Sequence, residues 1–153
     1  RILLRLDEGA GDGWPVEPLV HGHPDLRARG RQAEQLEEPL FEGFVASEIA
    51  KEQLALGRSR EFYHFRDYQG LEVDFVVPAG HQHLLLVEAK ATRTVLPRMA
   101  RPALSLGAVA KGHRTEVIVV HPSGPNAPST RAIAPGAQAL PLAKLLDRVR
   151  GGS

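Results

Sequence analysis

The 153-residue chain contains no cysteine. That excludes a disulfide scaffold and any thiolate metal site, and it fits a reducing compartment. Aromatic residues are sparse, at 5%, and charge is nearly balanced, since 19 Lys and Arg against 18 Asp and Glu leave a formal charge of +1. No global field therefore draws the chain to nucleic acid or to a membrane surface, so a polyanion site has to be a local patch. No apolar run approaches the ~20 residues of a membrane-spanning helix and no signal peptide is visible, so no membrane association and a cytoplasmic location are expected. A Gly-x-x-x-x-Gly-Lys-Ser/Thr stretch is also lacking, which excludes a phosphate-binding loop from this sequence. The chain starts Arg1-Ile-Leu-Leu rather than with methionine, as a fragment or a processed product does. Its length suggests one domain, able to bury about two-thirds of its unfolded surface.

What is present reads as alternating elements. Residues 1–35 show little pattern. Arg1 to Leu6 suits a short strand and Gly9 to Pro18 a loop, while His21-Gly-His23 sits in a loop with no third ligand nearby, as solvent-exposed histidines do. From Pro39 to about Leu56 the spacing predicts a helix, with Leu40, Phe41, Phe44, Val45 and Ile49 as one apolar stripe, Pro39 in its first turn and Gly57 just past its end. Glu42 flanks that stripe; Glu48 and Glu52 point to solvent. Three strands are expected next, Glu61–Arg66, Leu71–Val77 and Leu84–Ala89, joined by short turns into an antiparallel meander. Leu96 to Lys111 reads as a helix that Pro102 kinks or restarts, Thr115–Val120 as a strand, and Pro122–Pro135 as loop-like. A short amphipathic helix at Pro141–Val149 and a frayed tail at 151–153 complete an α/β pattern of helix, three strands, helix, strand and helix.

Within it, two apolar strands carry ionisable groups. Asp74 lies in Glu72-Val-Asp-Phe-Val-Val77, and Glu88 and Lys90 share one face at the end of the next strand. Placing Asp74 opposite Glu88 also pairs 76 with 86, 78 with 84 and 72 with 90, with Ala79–His83 as the connection. A slip of one residue would send the two carboxylates to opposite faces. In this register they converge as a two-carboxylate site that suits Mg²⁺, with Mn²⁺ as the related choice, and Lys90 stands beside it. An ordinary Glu72–Lys90 cross-strand pair is the plainer alternative.

The constellation resembles the PD-(D/E)XK nuclease-like superfamily, with Asp74 matching its Asp and Glu88-Ala-Lys90 its ExK. The ordered series Leu40-Phe-Glu-Gly-Phe-Val-Ala-Ser-Glu-Ile49, Phe62-Tyr-His-Phe-Arg66, Glu72-Val-Asp-Phe-Val76 and Val87-Glu-Ala-Lys90 is similar to one particular family. That family is the C-terminal domain of unknown function found behind AAA+-type ATPase domains in prokaryotic proteins. The resemblance covers residues 36–150, the expected domain, and leaves 1–35 as an irregular segment that could be a remnant of a link to such an ATPase. It implies a restriction-endonuclease-like α-β-β-β-α-β core. It further implies that Asp74 and Glu88 ligate Mg²⁺, that Lys90 assists the attacking water, and that Glu42 supplies an additional acid. No Gln follows the ExK; Arg93, Arg98 and Arg101 lie there instead, as phosphate contacts or as a solvated basic face.

Two functional expectations follow. One is a Mg²⁺-dependent nuclease hydrolysing DNA phosphodiesters, without an ATPase motor of its own. The other is a non-catalytic nuclease-like module that binds DNA or a protein partner, with an AAA+-type ATPase in cis or in trans. A degenerate remnant is a third reading, favoured by the irregular first residues and the missing ATPase. His81 and His83 are expected as exposed loop residues, and His64 either near the site or at a sheet edge.

Overall fold

The computed structural model describes residues 26–92, 94–122 and 130–151, with side chains from Glu37 onward. The expected strand at Arg1–Leu6, the loop at Gly9–Pro18, the His21/His23 pair, Arg93 and most of the Pro122–Pro128 loop lie outside them. The described elements form a mixed six-stranded sheet between two helical layers. Helix α1 spans Leu26–Ala55, followed by strands β1 (Tyr63–Arg66), β2 (Glu72–Pro78) and β3 (His83–Ala89). A 3₁₀ turn at Pro97–Ala100 leads into α2 (Arg101–Val109), then β4 (Arg114–His121), β5 (Arg131–Ala134), β6 (Ala137–Pro141) and α3 (Leu142–Gly151). The strand order is β1-β2-β3-β4-β6-β5. Strands β3, β4 and β6 run parallel; the outer pairs are antiparallel.

Two cores flank the sheet. Beneath α1 and α3, Val45 and Ile49 meet Phe75, Val77, Leu85, Val87, Ile118 and Leu145. Beneath α2, Val73, Val76, Leu86, Val117 and Val119 meet Ala103 and Leu106. Strands β3 and β4 contribute to both cores, which is why each reads as an unbroken apolar run.

Local chemistry accounts for most boundaries. Helix α1 ends in a Schellman turn: Gly57, at φ 69°, donates to Leu54 O at 3.0 Å, and Arg58 N–H donates to Gln53 O at 2.9 Å. The β1–β2 turn is held by Asp67 Oδ1, which accepts from both Gln69 N and Leu71 N at 2.8 Å. Pro102 restarts rather than continues the helix, since the 3₁₀ turn gives way to α2 with proline in its first turn.

Several expectations are corrected. Helix α1 begins at Leu26, so Pro39 is interior and residues 26–35 are helical rather than irregular. The preceding Arg, Gln, Glu, Ala and Leu residues are strong helix formers, and the helix tolerates the bond that proline removes. Leu40 and Phe44 are 68% and 52% exposed, so the core stripe narrows to Phe41, Val45 and Ile49. Glu52, expected in solvent, has a side chain 14% exposed that is held by Arg150 from α3. The 122–135 stretch was expected as loop, yet Arg131–Ala134 and Ala137–Pro141 form a hairpin about Pro135 and Gly136. Its alanines carry little strand propensity, which hid it.

The β2–β3 ladder has the expected register, with Phe75↔Val87, Val76↔Leu86, Val77↔Leu85 and Pro78↔Leu84. On the other side β1 shifts register: Tyr63 pairs with Val76 but Phe65 with Val73. Three steps of β2 thus oppose two of β1, which is a bulge. Val73 was expected on the same face as Phe75 and Val77; the bulge turns it into the opposite core, beside Val76. Asp74 sits within that bulge.

Candidate active site

The site forms where β2, β3 and α1 converge, at the C-terminal end of β3. The bulge lifts Asp74 out of regular pairing just where the β2–β3 ladder ends. Its Oδ2 accepts the Ala89 N–H at 2.8 Å, replacing a strand carbonyl and fixing the carboxylate against β3. Glu88 precedes Ala89, and its side chain is only 5% exposed. Lys90 follows, its backbone N–H still tied to Val120 O of β4 at 2.9 Å. Its ammonium lies 3.7 Å from Asp74 Oδ2 and 3.6 Å from Glu88 Oε2.

Helix α1 closes the cluster from above. Glu38 and Glu42 are one turn apart and share a face. Glu38 Oε1 is 3.3 Å from Lys90 Nζ, and its Oε2 accepts the Ala91 N–H at 3.2 Å. Glu42 lines a cleft of about 480 Å³ together with Pro39, Phe62, His64, Asp74 and Phe75. On the rim, His64 Nε2 is 3.1 Å from Glu72. The plain alternative, a Glu72–Lys90 pair, is not what forms: Glu72 pairs with His64, and Lys90 with Glu38, Asp74 and Glu88.

Three carboxylates therefore lie within 3.7 Å of one ammonium, with Glu42 close by, and the ionisation of Glu88, Glu42 and Lys90 responds. Burial and the neighbouring Asp74 charge push Glu88 up to about 8. Burial, then Asp74, also raise Glu42 above the usual carboxylate range. Burial works against the Lys90 ammonium, but Asp74, Glu88 and Glu38 outweigh it and hold its pKa above the ordinary value. Glu88 Oε1 is buried and has no hydrogen-bond partner. A carboxylate oxygen left in that state is costly unless a proton or a cation satisfies it.

Sequence reasoning thus placed Asp74, Glu88 and Lys90 together, and the structure unites them with Glu42 at the edge of the group. It did not find Glu38, which was assigned to the residues before the helix. The available signal was its spacing of four from Glu42. Arg98 and Arg101 are exposed at the start of the α2 layer; among the described residues neither is bonded to the carboxylates. His81 is exposed as expected, whereas His83 is partly buried, with Nδ1 3.2 Å from Ala79 O and Nε2 3.9 Å from Glu116. Among the described residues no set of three or more His, Asp or Glu could by itself hold a metal ion, and no helix is long and apolar enough to cross a membrane.

The fold and site define an α/β domain with a mixed sheet and an acidic, lysine-bearing cluster at the end of its parallel strands. The profile of the family described as "Domain of unknown function (DUF4143)" matches residues 37–145, and the chain belongs to that family. No curated protein and no solved structure matches it.

Proposed function

We propose that this domain is a Mg²⁺-dependent nuclease hydrolysing DNA phosphodiesters, with a PD-(D/E)XK-type site. The observation that carries this reading is the orphaned, buried Oε1 of Glu88, on a carboxylate whose other oxygen lies with Asp74 beside Lys90. Oxygen donors of this kind fit Mg²⁺ (or Mn²⁺), which keeps several waters when only one or two carboxylates bind it. Bound Mg²⁺ supplies Lewis acidity and charge neutralisation at a phosphodiester.

The remaining work falls to the chain. Asp74, fixed by the Ala89 N–H, and Glu88, buried at the core's edge, would hold the cation. Lys90 orients the attacking water and offsets the charge that develops on phosphate. Glu42, with its raised pKa, accepts or returns a proton at the cleft wall. Arg98 and Arg101 supply sequence-independent phosphate contacts.

A second reading is a non-catalytic nuclease-like module, binding DNA or acting with an AAA+-type ATPase in cis or in trans. The observation favouring it is that Lys90 already contacts both carboxylates and that, among the described residues, no third acidic or histidine ligand completes a metal cage. Calorimetric titration of Mg²⁺ into the intact chain, Asp74→Ala and Glu88→Ala decides between them. Binding in the intact chain, weakened at least tenfold in both variants, together with Mg²⁺-dependent DNA cleavage, is the outcome expected of the nuclease. A folded chain that binds no Mg²⁺ at millimolar concentration leaves the module reading.

A further inference from the structure

Glu38 has no part in the scheme above, yet it is the carboxylate nearest to the Lys90 ammonium. It lies at 3.3 Å, against 3.7 Å for Asp74 and 3.6 Å for Glu88. Its second oxygen accepts the Ala91 N–H. One side chain from α1 therefore grips both the ammonium and the backbone just beyond it, where β3 has left the sheet.

The ammonium presents a difficulty for any cation site built on Asp74 and Glu88. It faces both carboxylates, and a divalent ion approaching the same oxygens to ~2.1 Å would meet it there. The two cations repel, so one has to give way. Expulsion of Lys90 to an unpartnered position is costly, because its side chain is only 23% exposed. Glu38 offers a destination already in contact. It is also the most solvated of the three partners, 40% exposed against 13% and 5%, so it keeps its charge at the least desolvation cost. The bond to Ala91 commits its other oxygen to the backbone, which keeps the carboxylate from following the ammonium inward.

We propose that Glu38 is a positioning residue, the seat to which Lys90 withdraws when a divalent cation enters between Asp74 and Glu88. The site then works by exchange of counter-ions, with Lys90 present as an internal cation before the metal arrives and retained at the rim afterwards. This inference rests on the Mg²⁺ reading of the site, but its test separates the two.

The test is a double-mutant cycle read by Mg²⁺ calorimetry. Glu38→Gln keeps the side chain's shape and its acceptor for Ala91 but removes the charge. It is expected to weaken Mg²⁺ binding about tenfold in the native background and by less than twofold in Lys90→Met, where no ammonium needs a seat. An equal loss in both backgrounds would make Glu38 a ligand or a mere source of field, and no loss in either would remove its role; both results overturn the proposal. A second measurement needs neither metal nor the Lys90 variant. In ¹⁵N-lysine NMR of the metal-free protein, Glu38→Gln is expected to shift the Lys90 ammonium resonance and speed its proton exchange, while Glu37→Gln, an equal charge loss at an exposed neighbour, leaves both in place. An unmoved Lys90 resonance in Glu38→Gln overturns the seat whatever the metal does. If the intact chain binds no Mg²⁺, the metal reading fails by itself, and this resonance alone decides whether Glu38 holds the ammonium.

Discussion

The two ends of the parallel β3–β4 pair carry the same kinds of group and treat them differently. At the N-terminal end, Glu116 of β4 meets Arg148 of α3 at 3.3 Å, with His83 of β3 at 3.9 Å. One carboxylate faces one permanent cation, and the contact clasps sheet to helix. At the C-terminal end, about 10 Å along the strand at Glu88, Glu38, Asp74 and Glu88 lie within reach of the single ammonium of Lys90, and Glu42 feels its charge from the cleft wall. The first arrangement is balanced and needs nothing more. The second keeps a surplus of acid, part of it sealed in the core, which a proton on Glu88 would relieve. The two clusters differ by charge count and burial, not by residue type.

That comparison can be broken experimentally. The largest effect is expected from Lys90→Met, which leaves Asp74 and Glu88 facing each other without a cation and should destabilise the metal-free fold by about 3 kcal/mol at pH 8. Its loss should shrink toward pH 5, as Glu88, raised to about 8, takes up its proton. Urea denaturation across that range checks it, and a pH-independent loss would mean that Lys90 acts through packing alone. Next comes Glu88→Gln, with the opposite sign. The folded-state pKa of Glu88 is raised to about 8 from 4.5, so its share of stability is full below pH 4.5 and is lost as pH rises to about 8. The neutral variant should therefore gain on the order of 2 kcal/mol over the native chain at pH 8, and nothing near pH 4. A thermal midpoint that falls at both pH values would contradict the buried-charge account. The smallest effect belongs to the balanced end. Arg148 is half exposed, so Arg148→Met should cost about 0.5–1 kcal/mol, without the pH signature of the other two.

Much of this was legible in the sequence, and the reasons differ by element. The β2–β3 register followed from setting Asp74 opposite Glu88, which also leaves Ala79–His83 as a hairpin loop of ordinary length. The bulge was not legible, because Val73, Asp74 and Phe75 alternate as a regular strand would. Only pairing with β1, a tertiary fact, shows the extra residue. Glu38 was missed because Pro39 resembles a helix start, and a helix read from Pro39 onward excludes the residue before it. The outward turn of Leu40 and Phe44 was missed for a related reason. In α1 apolar residues occur on two faces, and spacing alone does not say which face meets the sheet. The β5–β6 hairpin carried one usable sign, Pro135-Gly136 between short apolar runs, set against alanine-rich strands of low propensity.

Helix α1 has a mechanical consequence. Its lower half is anchored in the core through Val45 and Ile49, while from Glu38 back to Leu26 it continues for twelve residues, about 18 Å of rod. Pro39, which lacks the N–H for one helical bond, stands immediately after Glu38. The missing helical bond thus falls beside the residue that contacts Lys90. A bend of the helix at Pro39 would shift Glu38 relative to Val45 and Ile49, and with it the carboxylate nearest to Lys90.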